Sequence, residues 1–114
     1  MKPKIILLTG TTGFIGYKFL LFALSNNFLI IDILRSKNKD NKKIKKLKTI
    51  YSNNYKNIFF ESNKSLSKKL MNINVDYFIN FAALYSNNHT HDQIYDFIES
   101  NVSFPTLIYD IIHH

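Results

Sequence analysis

The segment Ile5–Gly16 reads IILLTGTTGFIG and joins a short apolar run directly to a glycine-rich turn. The apolar run is typical of a buried strand, and the residues after the turn have the apolar spacing of a helix. Gly10 permits a tight turn after the strand, Gly13 lets a ligand approach the backbone, and Gly16 lets the helix pack closely against the sheet. The segment therefore predicts a strand, a turn and a helix whose N-terminus can hold a pyrophosphate.

Apolar strand-like segments and helix-forming segments alternate along the rest of the chain. This alternation predicts parallel β-α-β units, and right-handed crossovers then place four strands in the order 3-2-1-4. We therefore expect an α/β fold, a Rossmann-like doubly wound parallel sheet that is incomplete on its C-terminal side because strand 4 forms an edge. The predicted strands cover residues 4–9, 28–34, 57–61 and 76–81; the predicted helices cover residues 14–24, 41–50, a short stretch capped by Ser65 that ends at 71, and 92–112, with a loop at 84–91.

The bulk composition limits the class of protein. The 114 residues form one domain at most, and 46% of them are hydrophobic, which is enough to build a core. No run approaches the roughly 18 apolar residues of a membrane span. The sequence has no cysteine for disulfides or thiolate metal sites. We expect a cytoplasmic protein with no membrane partner.

The basic character of the chain is concentrated in one stretch. The formal net charge is +7, and seven lysines between positions 37 and 48 supply much of it. Such a run is usually the solvated face of a helix, here with Ile44, Leu47 and Ile50 on the other side. Nucleic-acid binding is the alternative interpretation, but no aromatic residue interleaves the lysines to stack on bases. We therefore expect no nucleic-acid partner.

The histidines offer a weak pattern for a metal site. His89 and His91, followed by Asp92, could supply ligands, but no third well-placed ligand is evident. We expect no metal, and we interpret this segment as a polar loop that caps the last helix.

Four segments together resemble the extended short-chain dehydrogenase/reductase family, which includes the NAD-dependent epimerases and dehydratases of sugar nucleotides. Residues 5–16 are similar to the family's opening, and residues 75–83 resemble its strand 4, which ends in two small residues beside the cofactor. Residues 58–63 resemble the end of strand 3, and residues 99–102 contain an Asn-Val pair similar to the one in the helix after strand 4. The resemblance implies that residues 1–114 are the N-terminal portion of an NAD(P)-binding Rossmann domain.

The resemblance also implies which residues contact the cofactor. Asn63 stands where the family usually has Asp against the adenine, so it is either an adenine contact or a turn-forming residue before a helix. Ala82 and Ala83 are small enough to let the cofactor lie close to the backbone. Asn101 matches the family's asparagine that helps to hold the backbone of the active site in place. The candidate cofactor-binding residues are Gly10, Thr12, Gly13, Phe14, Ile15, Gly16, Arg35, Ser36, Asn63, Phe81, Ala82, Ala83 and Asn101.

The end of strand 2 bears on the choice between NAD and NADP. An acidic residue there binds the ribose 2′-hydroxyl of NAD, whereas an arginine accepts the 2′-phosphate of NADP. Asp32 lies inside the apolar run, too early to reach the ribose. Arg35 and Ser36, followed by Lys37, offer a forked donor, a hydroxyl and a nearby positive charge. We expect NADP as the preferred cofactor, with NAD as the alternative.

The family's catalytic pair is a Tyr with a Lys four residues later, in which the Tyr acts as general acid or base. None of the seven tyrosines of this chain has a lysine at that distance. We therefore name no catalytic residue, and we expect the catalytic Tyr/Lys segment and the substrate domain to lie outside these residues. Tyr85 or Ser86, in the loop after strand 4, could touch the nicotinamide half or the substrate.

The reaction is implied by the resemblance alone. In the full-length enzyme, hydride would pass between the nicotinamide and a carbon of a nucleotide sugar, in a reduction, an epimerisation or a dehydration, and the enzyme could be a homodimer. Residues 101–105, NVSFP, are also loosely similar to the reductases that make CDP-3,6-dideoxyhexoses such as abequose and paratose. The alternative is a non-catalytic dinucleotide-binding or redox-sensing module that uses the same glycine turn.

Overall fold

The computed structural model of the protein describes residues 2–82 and 91–113, so the predictions for Ala83 and for residues 84–90 lie outside the described residues. The elements in chain order are β1 (Ile5–Thr9), α1 (Phe14–Ser25), β2 (Leu29–Arg35), a 3-10 turn (Ser36–Asn38), α2 (Lys42–Ile50), β3 (Tyr55–Phe60), α3 (Asn63–Leu70), β4 (Tyr77–Asn80), α4 (Gln93–Ile98), a π-helical turn (Glu99–Ser103) and α5 (Phe104–His113).

The strands form one parallel sheet in the order β3-β2-β1-β4. This confirms the predicted Rossmann-like α/β fold and its strand order. The chain runs from β1 to β2 on one side and later returns to β4 on the other side of β1, so the strand order reverses next to β1. In open α/β sheets, ligands bind outside the carboxyl ends of the strands at such a reversal.

Apolar side chains cover both faces of the sheet, as expected for parallel strands that lie between two layers of helices. On one face, Ile6, Leu8 and Ile30 pack with Leu20 of α1 and Leu47 of α2. The other face has its own buried cluster, formed with α3 and α5; its members are Leu7, Ile33, Phe60, Leu66, Leu70, Phe104 and Ile108. These two layers fix the carboxyl edge of the sheet, where the candidate site lies.

Two predicted element starts are wrong by two residues or more, whereas the others agree to within one residue. β3 begins at Tyr55 rather than at residue 57, because Tyr55 pairs with Ile30 of β2 and buries its ring. α3 begins at Asn63, with Ser62 rather than Ser65 as its cap. The Ser62 hydroxyl accepts the Ser65 backbone N–H at 3.2 Å, and the Ser65 hydroxyl accepts the Ser62 N–H at 3.2 Å. The two serines therefore form a reciprocal capping box, in which Ser65 is the third helical residue.

The predicted continuous helix over residues 92–112 is divided into three parts. A π-helical turn, Glu99–Ser103, separates α4 from α5 immediately before Pro105. Proline has no backbone N–H, and its ring would clash with the carbonyl four residues earlier, which is that of Asn101. A wider turn just before the proline is one way for the chain to accommodate it.

The lysine-rich stretch forms a solvated surface, as the interpretation of this stretch as an exposed helix face predicts. All seven lysines are exposed, and Ile44 and Leu47 are buried beneath α2. Ile50 is 57% exposed, so its predicted place beside them is wrong. Six residues turn an α-helix through about 600°, which is 120° short of two full turns, so Ile50 lies about 120° around the helix from Ile44 and leaves the buried side.

Candidate functional site

The turn after β1 requires glycine at its first position. Gly10 has a φ of +75°, in the left-handed region that residues with a side chain rarely adopt. A Cβ atom on Gly10 would also lie 2.3 Å from the carbonyl carbon of Phe81 and 2.3 Å from the backbone nitrogen of Ala82. Gly10 therefore allows the turn after β1 to lie directly against the backbone of Phe81 and Ala82, which follow β4.

Gly16 is also required by the interior of the protein. A Cβ atom on Gly16 would lie 2.1 Å from the carbonyl oxygen of Gly10 and 3.1 Å from Cα of Thr11. The first turn of α1 thus packs directly on the backbone of the preceding turn. The absence of a side chain at Gly16 permits this contact.

Gly13 has no comparable contact. A Cβ atom there would meet only the carbonyl oxygen of Gly10, at 3.5 Å, which is an ordinary van der Waals distance. Its φ of −81° and ψ of 169° are open to any residue. Gly13 is exposed, and the space beside its Cα is open. The part of the chain that the structure describes therefore leaves room for a side chain at this position, so a ligand that approaches from outside is a reason for glycine here.

The N-terminus of α1 presents free donors at the same place. Gly13 is the N-cap, no side chain of the described residues caps the helix, and its first turn has no acidic residue. The first N–H groups of an α-helix have no partner within the helix and carry the positive end of its dipole. Phe14 and Ile15 are 79% and 68% exposed beside these donors. The arrangement suits an anion that is flanked by apolar surface.

Thr11 ties the turn to the middle of β2. Its hydroxyl donates to both carboxylate oxygens of Asp32 at 2.8 Å, and the Tyr55 hydroxyl donates to Asp32 Oδ2 at 2.5 Å. All three residues are buried. Burial raises the pKa of Asp32 from 3.8 to about 7, although the hydrogen bonds from Tyr55 and Thr11 act to lower it. Burial and the neighbouring Asp32 raise the pKa of the Tyr55 phenol, so Tyr55 stays protonated.

A cavity of about 390 Å³ opens at the carboxyl edge of the sheet. The glycine turn forms one side of it; the ends of β2, β3 and β4, the 3-10 turn and the segment around the start of α5 form the rest. It brings together six of the predicted cofactor-binding residues: Gly10, Thr12, Gly13, Arg35, Phe81 and Ala82. These residues come from three separate segments of the sequence.

Aromatic packing positions Arg35 at the cavity. Its guanidinium lies over the ring of Phe60, 5.2 Å from the centroid. The Phe60 ring in turn stacks on Phe104 of α5, with centroids 5.4 Å apart. Cation–π contact holds a cation over a ring face without consuming its hydrogen-bond donors. The donors of Arg35 therefore stay available to a ligand in the cavity.

Other predicted residues do not line this cavity. The predicted residues absent from its lining are Phe14, Ile15, Gly16, Ser36, Asn63 and Asn101. The Asn63 side-chain amide donates to Glu99 Oε1 at 2.8 Å, which links α3 to the π-helical turn. Asn101 is exposed on that turn. Contact between these two asparagines and a cofactor remains a prediction.

The structure adds lining residues that the sequence interpretation did not name as site residues. Lys37 and Asn38 reach the cavity from the 3-10 turn after β2, and Ser100 and Phe104 reach it from the other side. The sequence interpretation used Lys37 only as a nearby positive charge beside Arg35, whereas the structure places it in the lining itself. Ser100 is adjacent to the predicted Asn101, and only the path of the helix across the π-helical turn determines which of the two faces the cavity.

The described residues contain no cluster of three or more His, Cys, Asp or Glu side chains placed to hold a metal ion. His91 and Asp92 are exposed, and His89 falls in the segment that is not described. Within the described ranges, no helix is both long enough and apolar enough to cross a bilayer.

The chain matches the family model "NAD dependent epimerase/dehydratase family" over residues 6–114. The chain therefore belongs to that family, whose name implies a nicotinamide dinucleotide cofactor. No curated protein sequence matches it significantly. The family assignment agrees with the glycine turn at the strand-order reversal described above.

Solved structures of dehydrogenases share the fold. Serine dehydrogenase from Escherichia coli superposes with a TM-score of 0.78 and 16% identity, covering 95% of this chain and 53% of that one. A putative short-chain alcohol dehydrogenase from Burkholderia multivorans gives a TM-score of 0.82 and 14% identity, covering 98% and 56%. The chain thus spans about half the length of these proteins. At this identity the likeness concerns the fold alone.

Proposed function

We propose that the glycine turn binds the pyrophosphate of a nicotinamide dinucleotide. The observation that carries the proposal is Gly13: among residues 2–82 and 91–113, no packing contact requires glycine there, whereas Gly10 and Gly16 are required by close backbone contacts. An anion seated on the first N–H groups of α1 would occupy the space where a Cβ atom of residue 13 would project. Family membership supports the same conclusion from independent grounds.

The cavity residues fit the remaining parts of such a ligand. The turn faces the ends of β2 and β3, where the adenosine half of a dinucleotide lies in sheets of this type. Ala82 leaves room at the end of β4 for the half that carries the nicotinamide. The cavity extends across the end of β1 and connects these two regions.

We further propose that NADP is preferred over NAD. Arg35 at the end of β2 and Lys37 just past it both line the cavity, and an arginine there can donate two parallel hydrogen bonds to a 2′-phosphate. Asp32, the acidic residue nearby in sequence, is buried and bonded to Thr11 and Tyr55. It is therefore not free to bind a ribose hydroxyl, which supports the choice of Arg35.

For the whole protein we propose hydride transfer to or from a carbon of a nucleotide sugar, as a reductase, an epimerase or a dehydratase. The bound dinucleotide would supply or accept the hydride, and the residues of this chain would bind and orient it. The similarity of residues 101–105 to reductases that make CDP-3,6-dideoxyhexoses points to one substrate class within this range. An assay of CDP-linked and UDP-linked sugars with the protein that carries this chain would separate these substrates.

Fluorescence titration with NADPH and with NADH tests the binding proposal. We expect saturable binding to the folded chain, tighter for NADPH than for NADH. A duplex DNA oligonucleotide serves as the control for nonspecific attraction to the lysine-rich surface, because that attraction falls steeply with salt. Binding of both dinucleotides no tighter than the oligonucleotide, and equally sensitive to salt, would overturn the proposal.

A further inference from the structure

Asp32 is a carboxylate in a position where an apolar residue would pack. Its neighbour in register on β1 is Leu8, and the residues before and after it on the same face of β2 are Ile30 and Leu34, all three of them buried. A charged carboxylate in such surroundings is costly unless hydrogen bonds compensate for the loss of water. Here one of the two hydroxyl donors belongs to the glycine turn itself, because the Thr11 hydroxyl is shared between both carboxylate oxygens; the other is Tyr55.

We propose that Asp32 is a positioning residue for the dinucleotide, which fixes the glycine turn through Thr11 and takes up a proton when the dinucleotide binds. This inference rests on the proposed dinucleotide binding. It concerns a residue that lies beneath the cavity and does not line it.

The positioning role follows from the geometry of Thr11. Thr11 is buried between Gly10 and the exposed Thr12, so its side chain anchors the middle of the turn to β2. With Thr11 held at 2.8 Å from both oxygens of Asp32, the N-terminus of α1 has a fixed place relative to the sheet. A turn that is fixed before the ligand arrives spares the entropy of ordering it on binding.

The proton uptake follows from the charge of the ligand. A pyrophosphate on the first turn of α1 brings negative charge to the segment that Asp32 holds, and it covers that segment from water. Both effects disfavour the charged form of a carboxylate. Binding therefore favours neutral Asp32, and affinity must fall as pH rises through the range where Asp32 titrates. Because burial raises the pKa of Asp32 to about 7, this range lies near neutral pH.

The titratable and polar groups packed around Asp32 come from α1, α2 and β3. From β3, Tyr55 donates to Asp32, and its own pKa is raised. Tyr17 of α1 contributes electrostatically to the raised pKa of Tyr55. The ammonium of Lys43, on α2, lies 5.0 Å from the centroid of the Tyr17 ring. The neighbour of Asp32 in register on β3 is the neutral Asn57.

The test compares NADPH affinity of the wild-type chain and of Asp32→Asn between pH 6 and pH 9. The amide keeps an oxygen that can accept from Thr11, but it carries no ionisable proton. We expect the ratio of the two dissociation constants to change about tenfold across this range, with the wild type weakening as pH rises, for a pKa that binding raises by about one. The ionisation of the NADPH phosphates is common to both proteins and cancels in the ratio.

Two further variants separate positioning from general stability. Thr11→Val removes the donor, and we expect weaker NADPH binding at every pH. Tyr55→Phe keeps the Thr11 contact and removes a hydrogen bond that lowers the pKa of Asp32, so the pH midpoint should move upward. A purely structural role would change the unfolding free energy of these variants without moving that midpoint.

The outcomes distinguish this inference from the proposed function. NADPH binding with a constant ratio of affinities from pH 6 to pH 9 would overturn the inference and leave the dinucleotide proposal intact. No binding by either folded protein at any pH would overturn both. If Asp32→Asn does not fold, a carbon-13 NMR titration of the wild-type Asp32 carboxyl, with and without NADPH, replaces it. The inference requires a higher pKa in the complex, and an unchanged or lower pKa would overturn it.

Discussion

The carbonyl oxygen of Gly10 lies 2.1 Å from the position that a Cβ atom on Gly16 would occupy. This contact folds the glycine turn back onto the first turn of α1. Gly10 and Gly16 are thus explained by the packing of the protein against itself, whereas Gly13, between them, faces open space. The three glycines share one motif but should respond differently to substitution.

Gly16→Ala should destabilise the fold without any ligand present. The new methyl group meets backbone atoms that cannot rotate away, so α1 or the turn must shift, at a cost of about 3 kcal/mol. Urea unfolding followed by circular dichroism measures this free energy. Gly13→Ala is the matched control, and we expect it to change stability by less than about 1 kcal/mol, since its methyl group enters open space. Equal losses at the two positions would contradict the assignment of separate roles.

Asp32 should make the fold less stable as pH rises from about 4 to about 7. Its pKa is 3.8 when exposed and about 7 in the fold. In this window the folded state therefore holds a proton that the unfolded state has lost, and the free energy of unfolding falls with pH. The contribution of this one group is about 4 kcal/mol at most. Unfolding free energies measured at pH 4.5 and pH 7.5 would show it.

Asp32→Asn is the control for that effect, because the amide does not titrate. We expect the difference in stability between the wild type and the variant to shift in favour of the variant as pH rises. The other carboxyl groups are the same in both proteins, so whatever they contribute cancels in this difference. A difference that is constant with pH would show that Asp32 ionises as an exposed carboxyl does.

Arg35→Ala should weaken NADPH binding at least tenfold and leave NADH binding nearly unchanged. The guanidinium is positioned over Phe60 at the cavity and, in our proposal, donates hydrogen bonds to the 2′-phosphate that only NADPH carries. Fluorescence titration of both dinucleotides measures the selectivity. Lys46→Ala removes the same charge from an exposed site on α2 and is the matched control. Unchanged NADPH affinity of the Arg35 variant would remove the basis for the NADP preference.

The sheet and the glycine turn could be predicted because their signals are local. The apolar run, the three glycines and the alternation of segments each lie within a short stretch of sequence, and general rules of chain crossing then fix the strand order. The positions of Arg35 and Ala82 at the carboxyl edge follow from the same rules, since each stands at or just past the end of a strand.

The buried polar network could not be predicted, because it depends on register. Asp32 and Tyr55 are 23 residues apart, and their contact requires β3 to begin at Tyr55, two residues earlier than the sequence suggested. The sequence YKN at the start of β3 contains polar residues, so the strand signal is weak there. Likewise, the π-helical turn before Pro105 decides that Ser100 rather than Asn101 lines the cavity, and residue spacing alone does not show that turn.

The most direct test of dinucleotide binding compares NADPH affinity of the wild-type chain and of Gly13→Ala under one set of conditions, with unfolding curves for both. If the pyrophosphate seats against the N-terminus of α1, the variant should bind NADPH at least tenfold more weakly while its stability changes by less than about 1 kcal/mol. Equal affinity of the two proteins for NADPH would contradict the placement of the ligand at the glycine turn.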